Sequence, residues 1–453
     1  MKKKKVVIIG AGLVGSLLAI LLRKRNYTVE IYERRPDMRL EKMSAGKSIN
    51  LALSDRGIKA LELVGIMDKI KPISIPMHGR FLHHADNSTA FQPYGKEGQF
   101  INAVSRGILN CTLMDEAEAH GATIFFNEKC THVDFEQHEI HFENSKKGRN
   151  IEIHADLIFA SDGAFSAGRE SHQHQHNRFQ YQQYFIDYGY KELSIPAGTA
   201  GSFQLEKNAL HIWPRGKYMM IALPNIDGSF TCTLFFPFEG YPSFESLDTP
   251  EKMLQFFTTT FADAVPLMPQ LEEEYFSNPT ASLVTVKCFP WVRNDHFALI
   301  GDAAHAIVPF FGQGMNCGFE DCTVLNDLLD KHVENWTAVL AEYQTLRKPD
   351  GDAIADLALN NFIEMRDKVA DPKFILQKKI EAWFSAKHPD KWTPAYAQVT
   401  FSPHIRYSDA LKNGALQDEI MQTIMQVEDI ENKWDSVEIE TLLLQQISNR
   451  KNV

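Results

Sequence analysis

The sequence predicts an α/β protein: a parallel-sheet domain, an antiparallel-sheet domain and a helical C-terminal region. Three observations carry this. A β-branched run, Val6–Ile9, leads directly into the glycine-rich turn Gly10–Gly15 and an apolar helix. Between Phe179 and Val286 the pattern becomes short strands with large apolar side chains, separated by turns. After Gly314 it is helical to the end.

Val6–Ile9 reads as a buried parallel strand, the helix runs to about Arg25, and Thr28–Tyr32 is the next strand, ending on Glu33. This is GxGxxG in a strand–turn–helix setting with an acid after the second strand. Gly10 makes the tight turn, Gly12 lets a pyrophosphate approach the helix N-terminus, and Gly15 lets the helix pack on the strand. Glu33 can accept from both hydroxyls of an adenosine ribose and would repel a 2′-phosphate. The dinucleotide bound here is therefore expected to be FAD or NAD, not NADP.

Ser48–Leu53 is followed by a helix capped by Ser54 that stops at Gly65. Ile73–His84 reads as one strand entering another layer and carries Arg80; 92–95 is a turn. A helix within Asn102–His120 is capped by Ser105, with Arg106 in its first turn. A cation there suits an anion bound nearby. Ile124–Glu128, Thr131–Phe135, Glu139–Phe142 and Ile151–His154 suggest a β-meander, and Leu157–Ala160 a buried strand ending in Asp162-Gly163. His172, His174 and His176 read as a solvated loop, and no metal site is expected. The later strands are Tyr184–Tyr190, Ser202–Gln204, Ala209–Trp213, Tyr218–Leu223, Phe230–Phe236 and Ser282–Val286, with one helix at Pro250–Phe261. The C-terminal helices are Gly314–Lys331, Thr337–Asp367 with a break near Pro349, Pro372–Phe384 and Ser408–Ile447.

Composition sets limits. The 453 residues suffice for two or three domains, and a net charge of −11 does not suit a nucleic-acid binder. Six scattered cysteines without a CxxC pair fit a reducing compartment. Lys2–Lys5 and Val6–Leu22 imitate a secretory signal, but the glycines and Arg23-Lys24-Arg25 argue against one. A cytoplasmic protein without a membrane anchor is expected.

The stretch Leu299–Glu320 repeats the logic of the N-terminus: a short strand, Gly301-Asp302 at its end, an apolar Pro309-Phe310 loop, then a helix from Gly314. Three separated elements now ask for one ligand: Gly10–Glu33, Asp162-Gly163 and Gly301-Asp302. A nicotinamide dinucleotide needs only the first. The ribityl chain and ring of a flavin reach a later strand end, which favours FAD. The residues assigned to it are Gly10, Gly12, Leu13, Val14, Gly15, Glu33, Arg34, Leu53 and Arg106 from the first part of the chain. Cys130, Asp162, Gly301, Asp302, Gly312, Gly314, Met315 and Asn316 complete the set.

In these elements and their order, the chain resembles the single-component, FAD-dependent aromatic hydroxylases over nearly its whole length. The runs KSINLALS, QPYG, HIWPRGKYMMIALPN, TCTLFFPFEG, GDAAHAIVPFFGQGMNCGFEDC and ALNNFIEMRDKV are similar to those of the kynurenine 3-monooxygenases. The resemblance implies a Rossmann-type FAD-binding domain of the aromatic-hydroxylase kind from residues 1-72, 101-178 and 287-370. It further implies an antiparallel-sheet substrate domain from 73-100 and 179-286, and a helical region at 371-453. It implies hydroxylation of L-kynurenine to 3-hydroxykynurenine through a flavin C4a-hydroperoxide, with O2 and with NADPH as a transient reductant. It places Arg80, Tyr94, Asn361 and Tyr407 at the amino-acid end of the substrate, and Ile221, Leu223, Phe235, Pro309 and Phe310 under its ring. No side chain is expected to act as an acid or base. Phe311 stands where some members carry a histidine. The alternatives are a hydroxylase of another aromatic acid or aniline, or a flavin-binding sensor without hydroxylase activity.

Overall fold

The computed structural model describes residues 4–40, 50–96, 98–144, 146–364 and 371–451. Its first sheet, among the described residues, has six strands in the order Val292–Arg293, Phe297–Leu299, Leu157–Ala160, Lys5–Ile9, Thr28–Glu33, Thr123–Phe126. All neighbours are parallel except the first pair. Lys5–Ile9 lies inside the sheet with four of its five residues buried, as its β-branched composition requires. Its register brings Ile9 beside Tyr32 and Ala160, and Ala160 beside Leu299. Four strands thus end together, and the turns that begin at Gly10, Ser161 and Gly301 share one carboxyl edge. That edge is where open α/β sheets bind ligands.

The second sheet runs Ala281–Phe289, Gln180–Ile195, Phe230–Pro237, Met219–Pro224, Ala209–Pro214, Gly79–His83, Thr89–Pro93. Only the pair Ala209–Pro214 with Gly79–His83 is parallel. Two three-stranded sheets complete the β-structure of the described residues.

Several expected elements differ. Ile73–His84 is two strands, Ser74–Met77 and Gly79–His83, in different sheets. His78 is the switch: its N–H donates to Asn208 O and its carbonyl accepts from Tyr94 N. The expected meander loses its first strand, because Thr123–Phe126 pairs with Thr28–Glu33 instead. Ser202–Gln204 is not a strand, and Gln92 and Pro93 end a strand where a turn was expected. Ser54 sits at the helix N-cap without a side-chain cap bond. His172 is no loop residue; it is fully buried in the helix Ala167–His174 among Phe135, Phe179 and Phe297, and burial pushes its pKa down to about 3.

The helix Trp336–Ile363 passes through Pro349 unbroken. Flanking Arg347 and Asp350 are buried and ion-paired, which holds the helix across the missing N–H. Ser48, Ile49 and Asp367 lie outside the described residues. The expected helix Ser408–Ile447 is three helices, Tyr407–Ile424, Ile430–Lys433 and Val437–Lys451, and a further helix, Ala395–Phe401, precedes them. The three pack with Pro372–Lys387 around Ile380, Phe384, Trp392 and Met421. Among the described residues no helix is long and apolar enough to cross a membrane.

Candidate active site

A cavity of about 540 Å³ is lined from both main sheets. The parallel sheet contributes Gly10, Gly12, Glu33, Asp162 and Asp302; the antiparallel sheet contributes Arg80, Ile221, Leu223 and Phe235. Residues 309–315, the turn leading into the helix Gly314–Lys331 and its first two residues, line it as well.

One end suits a dinucleotide. The helices Leu13–Lys24 and Gly314–Lys331 both start without a side-chain cap, which leaves first-turn N–H groups without a side-chain acceptor, and their first residues line the cavity. A Cβ added at Gly12 would meet nothing within 4 Å, so space stands open beside that helix end. Gly10 has φ +101, and a Cβ there would lie 2.9 Å from Ser161 O. Glu33 lines the cavity, with Oε2 accepting from Ala11 N at 2.9 Å and Oε1 from Arg35 Nε at 2.7 Å. Burial would raise its pKa, but the donors from Arg35 and Ala11 outweigh this and hold it below the usual value. Asp302 is exposed. Arg34, Arg106 and Lys129 are exposed cations on the lining. The uncapped N-termini, the open space at Gly12 and the carboxylates Glu33 and Asp302 fit the phosphates and hydroxyls of FAD.

The other end is apolar with one cation. Phe235 and Phe310 lie 5.0 Å apart, and Phe362 stacks on Phe310 at 4.2 Å. Arg80 is half-buried and, among the described residues, has no carboxylate in ion-pair range. Its Cζ lies 4.6 Å from the ring centroid of Tyr396 and 5.5 Å from that of Tyr94. Burial works to lower the Arg80 pKa, yet the oxygens of Tyr396 and Tyr94, with the more distant Glu364 carboxylate, hold it above its ordinary value. Burial raises the Tyr94 pKa, so its phenol stays protonated.

Comparison with known proteins agrees with this geometry. The family model described as FAD binding domain matches residues 3–234 and 265–358. The kynurenine 3-monooxygenase of Flavobacterium psychrophilum is 50% identical, over 99% of this chain and 100% of its own length. That of Flavobacterium johnsoniae is 51% identical, over 97% of this chain and 98% of its own. The chain belongs to the kynurenine 3-monooxygenase family. It is a flavin monooxygenase, and its cofactor is FAD. A solved structure, the tetrameric form of 2-methyl-3-hydroxypyridine-5-carboxylic acid oxygenase, shares the fold. Its TM-score is 0.68 at 20% identity, covering 90% of this chain and 98% of that one.

Leu13, Val14, Arg34, Cys130, Gly312, Gly314, Met315 and Pro309 line the cavity with those already named. Asp162 also lines it, but its carboxylate caps the helix Ala167–His174 by accepting from Ala167 N at 2.7 Å and from Ser166 Oγ. Gly15, Leu53 and Gly301 stand behind the lining. Gly15 packs so closely that a Cβ would lie 2.1 Å from Gly10 O.

Three expected contacts need correction. Asn316 is fully buried, with Oδ1 accepting from Ser54 N and Nδ2 donating to Ala52 O and Gly312 O. Its amide fastens the strand Asn50–Leu53 to the helix and does not line the cavity. Asn361 Nδ2 donates to Phe310 O at 2.7 Å, under the Pro309–Phe311 turn. Tyr407 is fully buried off the cavity, with its hydroxyl donating to Gln313 Oε1 at 2.9 Å and its ring 4.0 Å from Arg56 Cζ. The C-terminal tyrosine that reaches Arg80 is Tyr396, which sequence reasoning missed. Arg35 and Gln313 were missed as well. No local pattern marks Tyr396 or Arg35; Gln313's place between two glycines was the one signal.

Behind the site lies a buried charged cluster. Asp321 accepts from His305 Nε2 at 2.6 Å, Arg347 Nε at 2.7 Å and Gly301 N at 3.0 Å. Arg347 also pairs with Glu320 and Asp350, Arg56 with Glu320, and Arg406 with Asp350. His305, Cys317 and Asp321 approach each other as metal ligands could, but Arg347 donates to both Asp321 and Cys317 Sγ and brings a positive charge to that spot.

Proposed function

We propose that this chain hydroxylates L-kynurenine to 3-hydroxykynurenine, with FAD in the cavity and NADPH and O2 as co-substrates. The observation that carries the reading is Arg80: a half-buried guanidinium, clad by two tyrosines, beside an apolar wall, with the Glu364 carboxylate acting on it only from beyond ion-pair distance. It matches a ligand that joins an amino-acid carboxylate to an aromatic ring.

When bound, FAD supplies the redox chemistry, accepting reducing equivalents from NADPH and activating O2. The chain's own residues do the rest. Gly12 and the helix start at Leu13 would receive the pyrophosphate, Glu33 the adenosine ribose, and Asp302 the ribityl hydroxyls. N–H groups at the start of Gly314–Lys331 would favour negative charge at the flavin ring edge. Arg80 would pair with the substrate carboxylate, with Tyr94 and Tyr396 holding the guanidinium plane. Ile221, Leu223, Phe235, Pro309 and Phe310 would seat the ring and exclude water. The aniline nitrogen of kynurenine already feeds electrons into its ring, so no protein base is needed. The division into an FAD domain (1-72, 101-178, 287-370), a substrate domain (73-100, 179-286) and a helical region (371-453) is proposed on the membership of the two main sheets; Ser74–Met77 departs from it, pairing with Ile101–Ser105 on the FAD side. The six free cysteines support a cytoplasmic setting.

The deciding assay follows NADPH oxidation with and without L-kynurenine and weighs the product for one added oxygen. In Arg80→Ala, kynurenine binding should weaken by about 2–5 kcal/mol while FAD stays bound. Unchanged kynurenine affinity would remove Arg80 from the substrate site.

A further inference from the structure

We propose that Tyr407 is a positioning residue for the cofactor: through Gln313 it fixes the turn 312–314 that receives FAD. The proposal rests on the assignment of FAD to this cavity.

The turn is Gly312-Gln313-Gly314, and all three residues line the cavity. Gly312 is left-handed at φ +66, and the helix that follows has no side-chain cap. Flanked by two glycines, the peptide planes here have little steric reason to hold one orientation. Gln313 carries the turn's one side chain, and it is 1 % exposed. Its Oε1 takes the Tyr407 hydroxyl at 2.9 Å, so anchoring that amide anchors the turn.

Tyr407 is itself held. Its ring lies against Arg56, whose guanidinium pairs with Glu320 and donates to the carbonyls of Val399 and Ile405. Ser408 N donates to Asp350, the partner of Arg347 and Arg406. Three guanidiniums thus face three carboxylates, Glu320, Asp321 and Asp350. This cluster touches the site twice: Asp321 holds Gly301 N, and Tyr407 holds Gln313. The start of the helix Tyr407–Ile424 therefore helps set where flavin-facing N–H groups point. A tyrosine expected to touch the substrate acts instead on the opposite side of the cofactor turn.

Tyr407→Phe removes the hydroxyl and leaves the ring against Arg56. Apoprotein is titrated with FAD by flavin fluorescence, and the absorption spectrum of the loaded protein is recorded. The FAD dissociation constant of Tyr407→Phe should rise about three- to tenfold, the scale of one lost buried hydrogen bond. The flavin bands should shift. Gln313→Leu should do the same, and the double variant should be no worse than either single one. Tyr275→Phe, a buried tyrosine in the antiparallel domain, should bind FAD as the wild type does. A wild-type FAD constant and spectrum in Tyr407→Phe would overturn the proposal, as would an additive double variant or an equal loss in Tyr275→Phe. If Tyr407→Phe does not fold, Gln313→Leu with wild-type FAD affinity and spectrum overturns it. Wild-type apoprotein that takes up no FAD would refute the underlying assignment, a distinct result.

Discussion

Arg80 and its two tyrosines show how far a residue's role depends on neighbours distant in sequence. A lone arginine in a strand is most simply a surface cation. Here it is half-buried, and Tyr94 and Tyr396 cover it from segments 302 positions apart (396 − 94). Tyr396→Ala should raise the kynurenine KM about three- to thirtyfold, the value of a partly desolvated cation–π contact, with the FAD constant unchanged. Steady-state kinetics beside FAD titration checks this; an unaltered KM would return Tyr396 to a packing role. Sequence reasoning placed a C-terminal tyrosine near Arg80 but chose Tyr407. Both tyrosines sit in helical, mixed-polarity surroundings, and nothing local says which faces the cavity. Only tertiary packing separates them.

At the scale of elements, the N-terminal strand–turn–helix was legible because its determinants are local: a β-branched run, glycines at fixed spacing and an acid after the next strand. What was not legible is membership. Thr123–Phe126 alternates like an edge strand, and four residues cannot declare which sheet they join. Pro349 marks a helix break by its own chemistry, yet buried ion pairs on either side override it. Gly15 is the position where element packing is tightest. A Cβ there would lie 2.1 Å from Gly10 O and 2.5 Å from Ser161 Oγ, so helix and strand must move apart. Gly15→Ala should cost about 1–3 kcal/mol of stability and loosen FAD, read by a thermal melt of the loaded protein. A melt equal to the wild type would show that the contact yields more easily than the backbone geometry implies.

For the whole molecule, FAD in the cavity between two sheets, as proposed, would make the cofactor part of the structure. Residues from position 9 to position 396 line it, so FAD should stabilise the fold by mass action. At FAD one hundred times above its dissociation constant the gain should be about 2.7 kcal/mol, and the melting temperature should rise with added FAD. A melting temperature indifferent to FAD would contradict a shared site. The layered architecture was readable in advance because the hydrophobic period changes along the chain. The convergence of three turns was readable only as a demand for one ligand, until the register of Lys5–Ile9 with its neighbours put them on one edge.

The protein carries a net charge of −11, yet FAD, NADPH and an amino-acid substrate all bring negative groups to it. Among the exposed residues of the cavity lining, Arg34, Arg35, Arg106 and Lys129 outnumber Asp302, and Arg80 waits inside. An approaching anion therefore crosses a repelling envelope before it meets an attracting mouth. Dissolved salt weakens both fields, but it acts first on the distant one. Modest ionic strength should thus ease arrival more than it loosens grip, and a molecule that looks hostile to its ligands from afar becomes selective for those that get close.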